Sequence, residues 1–371
     1  MSHSGGAPGN TAGGANGAGG AGSTGSTGGT GGTARLTDIA AHAGVSEATV
    51  SRVLNGKPGV SALTRRSVLA ALDVMGYERP QRLRQRSNGL IGLVTPELDN
   101  PIFPAFAQAF EKTLTQHGYT PVLCTQLPGG AVEDEFTELL VERGVSGIIF
   151  VSGLHADVTA RSDRYTQLIG QGVPIVLLNG HAADVPAPFI SPDDRAAARL
   201  AVQHLADLGH ERIGLAVGPG RFVPVIRKIE GYRRAMAQLL GAVEVDELIS
   251  HSLFSVEGGQ AAAAQLLERG CTGIVCASDL MALGAIRACR DRGLSVPGDV
   301  SVVGFDDSPL IAFTDPPLTT VRQPVQSMVT AAVHTLLEAV AGSSVQQHSE
   351  LIFQPELIVR GSTGSGPKIL R

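Results

Sequence analysis

The sequence has no tryptophan and few aromatic side chains of any kind. Phe, Tyr and Trp together make up 4% of its 371 residues. Proteins that bind single-stranded nucleic acid stack the bases on aromatic platforms, and this composition offers little material for such a platform. If the chain binds nucleic acid, a duplex is therefore the favoured form.

Cysteine is also scarce, and the four cysteines are scattered. Cys124, Cys271, Cys276 and Cys289 form no CxxC motif and have no histidine at the spacing of a metal site. They are predicted to be buried free thiols, with no metal and no cofactor. Because a nucleophile, a base and an orienting acid do not occur together, no catalytic residue is assigned and an enzyme is not favoured.

Long apolar runs are absent as well. No run approaches the roughly 18 residues that a membrane span needs. The N-terminus lacks the basic and apolar regions of a signal peptide. The sequence therefore predicts a cytoplasmic protein without a membrane partner.

Charge is present but unevenly distributed. The net charge is -5, yet residues 34–88 hold nine Lys and Arg against four Asp and Glu, which gives +5. Residues 1–33 carry no Asp, Glu, Lys or Arg, so the chain from residue 89 onward carries -10. A basic segment on an acidic body indicates that one end approaches a polyanion.

The N-terminal part divides into three segments. Residues 1–33 include 14 glycines and almost nothing to bury, which predicts a disordered tail. Residues 34–78 have the apolar spacing of three short helices, with Gly44 ending the first and Ser46 capping the second. Residues 79–89 are polar and cationic, as expected of a linker.

From residue 90 the apolar pattern changes to seven short strand-like runs, the last of which ends at residue 305, and these alternate with helical stretches. This alternation predicts parallel sheets with helices on both faces, a doubly wound α/β fold. The number of strands favours two lobes within residues 90–361. We expect a first lobe of about 90–217 and 318–341, a second of about 218–317 and 348–361, a chain crossing near Gly218, and a C-terminal tail at 362–371.

The run LTDIAAHAGVSEATVSRVL, residues 36–54, has the form of a helix-turn-helix. Within it Gly44-Val45-Ser46 and Thr49-Val50-Ser51-Arg52-Val53 closely resemble the headpiece of the LacI family of transcriptional regulators. Further stretches within 278–324, among them VPGDVSVVGFDD and PPLTTVRQP, are similar to the periplasmic-binding-protein-like ligand domain of that family. The resemblance covers about residues 35–361 and implies a repressor with a helix-turn-helix headpiece.

In such a headpiece the second helix enters the major groove and its side chains reach phosphates and base edges. Arg52 can bind guanine as a fork, and Glu47 can accept from a cytosine amino group or simply favour the helix dipole. The resemblance implies that Glu47 and Ala48 select the operator. The full predicted DNA-binding set is Thr37, Ser46, Glu47, Ala48, Thr49, Ser51, Arg52, Asn55, Leu83 and Arg84.

The linker is roughly three residues shorter than in the family, whose members usually carry an Asn-x-x-Ala-Arg-x-Leu hinge helix with a Leu in the minor groove. Leu83 is the apolar candidate for this wedge. We expect Leu83 to kink the operator centre while Arg84 and its neighbours contact phosphates.

A cleft at the carboxyl ends of the strands is expected to hold a small molecule. Carboxylates at such positions accept hydrogen bonds from sugar hydroxyls, and a cation opposite balances them. By resemblance Asp194, Ser278 and Asp306 match effector contacts of the family, whereas Lys228 stands where Arg is usual and Ser278 where Asn is usual. The predicted effector-binding set is Asn100, Phe103, Asp194, Phe222, Lys228, Ser278, Asp279 and Asp306.

Some of these assignments have alternatives. Asp279 can equally cap the helix that follows it. Each nearby phenylalanine, Phe106 and Phe313 among them, is either a cleft wall or a core residue. A sugar is favoured as effector, but purines and phosphorylated ligands stay open.

Two other protein classes share part of this pattern. Gly218-Pro219-Gly220 follows a strand as in a dehydrogenase, but Val223 stands where the third glycine would fall. An exported solute-binding protein shares the two lobes but needs a signal sequence and has no use for residues 35–78. The sequence instead predicts a homodimer on a near-palindromic operator, in which effector binding changes headpiece spacing by a shift in conformational populations.

Overall fold

The structure is a computed structural model that describes residues 36–55, 57–75, 87–126, 132–343 and 349–367. The chain divides into two compact units, residues 1–85 and residues 86–371. The two units are described separately below.

The first unit is a small helical domain. Its helices are α1 (Leu36–Ala43), α2 (Glu47–Leu54) and α3 (Ala62–Val74). Gly44 has a φ of +65°, a left-handed conformation that glycine adopts without strain and that ends α1. The Ser46 hydroxyl accepts a hydrogen bond from the Thr49 amide and caps α2, so the predicted helix-turn-helix capping is confirmed.

One apolar core holds these three helices together. It is formed by the inward faces of the helices, on which Ile39, Val50, Val53, Val68 and Leu72 are fully buried. Because the apolar residues of each helix recur every three or four positions, they share one face and leave the opposite face polar.

The second unit contains two six-stranded sheets. The first has the strand order β11-β5-β4-β3-β1-β2, and all its neighbouring strands are parallel. Its strands are β1 (Leu90–Thr95), β2 (Thr120–Thr125), β3 (Gly147–Val151), β4 (Ile175–Leu178), β5 (Phe189–Pro192) and β11 (Glu350–Phe353). Helices α4 (Ile102–Gln116) and α11 (Val325–Val340) pack on one apolar core, and α5 (Glu133–Glu142) and α6 (Asp163–Gly170) on another.

The second sheet has the order β12-β10-β9-β8-β6-β7, with β12 antiparallel to β10. Its strands are β6 (Ile213–Val217), β7 (Ile249–His251), β8 (Gly273–Cys276), β9 (Ser301–Asp306), β10 (Thr319–Arg322) and β12 (Glu356–Ile358). It is covered by α7 (Asp194–Asp207), α8 (Val223–Leu240), α9 (Val256–Glu268) and α10 (Asp279–Asp291). The predicted fold class, a helical headpiece followed by a two-lobed doubly wound domain, is confirmed.

The lobes do not divide the chain where the sequence suggested. The first crossing falls between β5 and α7, at residues 192–194, and not near Gly218, because β6 pairs with β7 and β8 in the second sheet. For the same reason β10, which pairs with β9 and β12, belongs to the second lobe, and β11, which pairs with β5, belongs to the first. Residues 194–217 and 318–322 therefore belong to the second lobe and not to the predicted first lobe. Residues 350–353 belong to the first lobe and not to the predicted second lobe.

The predicted C-terminal tail also begins as part of the second lobe. Ser362 is fully buried, and its hydroxyl donates to the Val302 carbonyl at 2.6 Å and accepts from the Thr319 amide at 2.8 Å. The Gly364 amide donates to the Ser301 hydroxyl. Hydrogen bonds therefore fix residues 362–364 against the lobe that the sequence analysis ended at 361.

Two further observations concern whole classes of site. No helix in the described ranges is both long and apolar enough to cross a membrane. All four cysteines are free and buried, as predicted. Burial raises the pKa of each thiol, so they stay protonated and unreactive.

Candidate DNA-reading helix and ligand cleft

The exposed face of α2 carries most of the predicted DNA-binding residues. Thr37, Ser46, Glu47, Ala48, Arg52 and Asn55 are exposed, and Thr49 and Ser51 are partly buried. Leu83 and Arg84 lie outside the described residues.

Several polar side chains of this face are already engaged with the helix itself. The Ser46 and Thr49 hydroxyls are 2.9 Å apart, and the Asn55 amide nitrogen donates to the Ser51 carbonyl at 2.8 Å. Ser46 therefore fixes where α2 begins and Asn55 fixes how it ends.

A cavity of about 190 Å³ lies between the lobes of the second unit. Seven of the eight predicted effector-binding residues line it: Asn100, Phe103, Asp194, Phe222, Lys228, Ser278 and Asp306. They come from loops and helix starts that follow strands of both sheets, as the strand-end rule requires.

A buried ion pair forms one side of the cavity. Lys228, on α8, donates to Asp194, the first residue of α7, and both side chains are more than nine-tenths buried. The Lys228 ammonium also lies 3.8 Å from the ring centroid of Phe305, a cation–π distance. Burial raises the pKa of Asp194 against the opposing effect of Lys228, so this carboxylate depends on its partner to stay charged.

Asp306 supplies a second carboxylate. It ends β9 with a φ of 119° and accepts a hydrogen bond from the Gln323 amide nitrogen at 2.6 Å. Burial, with the nearby charge of Asp279, raises its pKa well above the usual value. The backbone therefore holds this side chain at the cavity wall in a conformation that non-glycine residues rarely adopt.

Asp279 is the predicted effector residue that the structure does not bring to the cavity. Its carboxylate accepts from the Ser308 amide and from the Thr320 hydroxyl, both at 2.7 Å, and burial raises its pKa to about 6. It is not the helix cap either, because Ser278 caps α10 by accepting from the Met281 amide. Asp279 thus joins α10 to β10 and to the loop that follows β9.

The aromatic residues divide between wall and core. Phe103 and Phe222 line the cavity, and Phe254, which the sequence analysis did not single out, lies with its ring centroid 6.3 Å from that of Phe222. Phe106 is instead fully buried in the first lobe, and Phe313 is 84% exposed. Neither of these two lines the cavity.

Four polar cavity residues escaped the sequence analysis: Glu97, Ser152, Asn179 and Gln323. Ser152 and Asn179 follow β3 and β4 with φ values of 50° and 61°, and Gln323 follows β10. The Asn179 nitrogen donates to the Ser152 hydroxyl at 3.1 Å. The side-chain oxygens of Asn179 and Gln323 are buried without a hydrogen-bond partner. Their positions directly after predicted strands were the available signal.

The donor set of the described residues does not suggest a metal centre. Over the described ranges no group of three or more His, Cys, Asp and Glu side chains is arranged to hold a metal ion. The cavity instead combines aromatic walls with hydrogen-bonding groups, the usual composition of a small-molecule site.

A helix-turn-helix unit and a two-lobed unit with a ligand cleft define the class of a ligand-responsive transcriptional regulator. The model of the lacI family of bacterial regulatory proteins matches residues 35–80, and that of the periplasmic binding protein-like domain matches residues 202–363. The chain is 68% identical to the HTH-type transcriptional regulator reg1 of Streptomyces lividans, over 90% of this chain and 97% of that protein. It is 33% identical to the repressor CytR of Escherichia coli, over 90% and 97%.

Solved structures agree with these relatives. The CelR–cellobiose complex superposes with a TM-score of 0.66 at 32% identity, covering 89% of this chain and 99% of that one. A lac repressor dimer bound to operator and an anti-inducer superposes with a TM-score of 0.64 at 29% identity, covering 90% and 99%. The chain belongs to the LacI family of transcriptional regulators. This assignment replaces the dehydrogenase and the exported solute-binding protein.

Proposed function

We propose that this regulator is a homodimeric repressor whose α2 helices read a near-palindromic operator. The N-terminal cap of α2 supports this proposal. Ser46 fixes where the helix begins, and Glu47, Ala48 and Arg52 are exposed on it. The structurally similar lac repressor is described as a dimer bound to operator, and two-fold symmetry of the protein matches two half-sites. Binding of this kind takes place in the cytoplasm, on the nucleoid.

The cleft takes a small neutral effector, most simply a sugar. Its Lys228 is already paired with Asp194, and the side-chain oxygens of Asn179 and Gln323 are buried without a partner, so the cavity offers hydrogen-bond acceptors more readily than a free cation. The aromatic walls suit the apolar faces of a sugar ring. The related structures hold cellobiose in one case and ribose in another. The protein acts by binding and not by catalysis.

The single observation on which this proposal rests is the cavity between the lobes in a chain that also carries the helix-turn-helix. A ligand that prefers one arrangement of the lobes shifts the population of the DNA-binding state by its differential affinity. A coupling of about 1–3 kcal/mol corresponds to roughly 5- to 150-fold in operator affinity.

The test uses the full chain and a labelled duplex recovered from its own genomic footprint. At fixed salt, cellobiose, maltose and ribose are added in turn, and one of them is expected to change the duplex affinity by roughly 5-fold or more. Arg52→Ala should weaken specific binding by about 1–3 kcal/mol. Arg66→Ala, which removes the same charge from the exposed face of α3, should cost less.

Two results would contradict the proposal. Equal losses for Arg52→Ala and Arg66→Ala would mean that α2 does not read bases. Duplex affinity that no small neutral sugar alters would remove the effector assignment.

A further inference from the structure

The two lobes touch across the mouth of the cleft through two loops. One loop follows β3 in the first lobe, and the other follows β6 in the second. The Val158 amide donates to the Arg221 carbonyl at 3.0 Å, and Asp157 and Phe222 form an isolated antiparallel bridge. These contacts are noncovalent, so they can separate while both lobes stay folded.

A charged pair reinforces this bridge. The Arg221 guanidinium donates from Nε to Asp157 Oδ2 at 2.7 Å. The Asp157 carboxylate is also fixed by its own loop, because the Thr159 amide and hydroxyl both donate to Oδ1, at 2.9 and 2.6 Å. The Asp157 side chain is 9% exposed and that of Arg221 is 49% exposed.

The chemistry of Asp157 agrees with this arrangement. Burial disfavours its charged form, but the hydrogen bonds from Thr159 and Arg221 outweigh burial and hold its pKa below the usual value. On the other side, the Arg221 guanidinium carbon lies 4.7 Å from the ring centroid of Phe222, at a cation–π distance. Arg221 is therefore placed between the carboxylate of one lobe and an aromatic ring of its own lobe.

The bridge is directly connected to the cavity. Phe222 is both a bridge residue and a cavity wall, and Ala156, next to Asp157, also lines the cavity. Phe222 immediately precedes α8, the helix that carries Lys228. Separation of the two loops would thus remove part of the wall and expose the interior to solvent.

We propose that Asp157, Val158, Arg221 and Phe222 form a latch that holds the cleft closed and that must open to admit or release a ligand. The part of this inference that concerns effector exchange rests on the proposed function. The latch itself does not, because all its contacts join residues of the two lobes directly.

Hydrogen–deuterium exchange of the Val158 amide in the full chain, without sugar, measures the opening directly. Asp157→Asn and Arg221→Gln should each accelerate this exchange about two- to fivefold, the range expected for a partly exposed ion pair. The double variant should exchange no faster than the faster single variant, since both remove the same interaction. Because Arg221 is half exposed, Arg221→Gln should fold even if Asp157→Asn does not.

Asp163→Asn is the matched control. It breaks the Arg161–Asp163 pair of the first lobe, which is solvent-exposed and contains no residue of the second lobe. Exchange at Val158 should not change in this variant, and exchange within β3 should not change in any variant. A wild-type Val158 amide that exchanges at the rate of an unstructured peptide, or an equal acceleration by Asp163→Asn, would overturn the latch.

A second measurement follows the cavity itself. Ala277 lines the cavity and is 5% exposed, so an Ala277→Cys thiol should react with iodoacetamide only when the cleft opens. In the Ala277→Cys background, Asp157→Asn should raise the labelling rate of the new thiol by the same factor as it raises the exchange rate of the Val158 amide. Wild-type protein is the control for background labelling of the four native buried cysteines. Faster exchange at Val158 without faster labelling would show that the loops separate independently of the cavity and would overturn the gating role.

Discussion

At the scale of single residues, the cleft is organised by charges that are buried and therefore must be partnered. Lys228 and Asp194 are 8% and 2% exposed, so each charge depends on the other for the stabilisation that water would otherwise supply. The surface pair of Arg195 and Glu230 joins the same two helices, α7 and α8, with side chains that are about half exposed. The two pairs thus differ chiefly in burial.

This difference yields a prediction on stability. Lys228→Met leaves the Asp194 carboxylate buried without a partner and should lower the free energy of unfolding by about 3–5 kcal/mol. The double variant Asp194→Asn with Lys228→Met should be more stable than Lys228→Met alone. Glu230→Gln, the surface control, should cost less than about 1 kcal/mol. Urea unfolding monitored by far-UV circular dichroism measures all four proteins, and similar losses for the buried and the exposed pair would contradict the argument.

The sequence located cavity-lining residues most readily where a charged or polar residue stands at the end of a predicted strand. Asp194, Ser278 and Asp306 follow or begin elements that the apolar pattern located. Asn179 and Ser152 stand at equivalent positions but are common turn residues, so their type gave no separate indication of a role. Asp279 was predicted to line the cavity and does not. Its neighbour Ser278 lines the cavity, whereas the Asp279 carboxylate accepts a hydrogen bond from Thr320 of β10.

At the scale of elements, His155 connects the loop after β3 to the end of β4. Its Nε2–H donates to the Leu178 carbonyl at 2.8 Å, and its ring lies against those of Tyr165 and Phe189. Complete burial lowers its pKa from 6.5 to about 4, with the Leu178 hydrogen bond opposing. The folded state therefore binds a proton at this site less readily than the unfolded state.

The sign of the resulting pH dependence follows. The contribution of a histidine with a lowered pKa is fully present above its unfolded value near 6.5 and is lost as pH falls toward 4. The loss amounts to roughly 3 kcal/mol across that window. His155→Phe should flatten the slope of unfolding free energy against pH by this amount. A slope that stays unchanged in His155→Phe would refute the assignment.

The elements also show why lobe boundaries were misplaced while most strands were located. The seven strand-like runs from 90 to 305 all became strands, because buried parallel strands are continuous apolar runs. Strand β5 and the three-residue β7 were not counted as strands. Which sheet a strand joins depends on hydrogen bonds to residues far away in sequence, such as those of β11 with β5.

At the scale of the whole molecule, charge is divided between the two units. The first unit, residues 1–85, carries +4 and the second, residues 86–371, carries -9. Binding to a phosphate backbone should therefore depend on the first unit and weaken steeply with salt.

A truncated protein tests whether the first unit binds DNA and the second binds the sugar. Removal of residues 1–88 should abolish specific duplex binding, a loss of roughly 10³-fold or more. Binding of the sugar that shifts operator affinity should be unaffected, since the cleft lies in the second unit. Removal of residues 2–33 alone, which carry no Lys, Arg, Asp or Glu, should change neither activity. Fluorescence anisotropy and calorimetry measure the two affinities, and a truncated chain that still binds its operator would contradict the assignment.

The sequence alone determined the helix-turn-helix, the doubly wound fold and most of the cleft, because capping residues, apolar periodicity and strand ends are local features. Only the tertiary structure decided which strands share a sheet, that Asp279 faces away from the cavity, and that Asp157 meets Arg221 across its mouth. Each of these depends on the packing of segments that are distant in the chain. The free energies of these contacts depend on which distant segments pack together, so a local sequence pattern does not specify them.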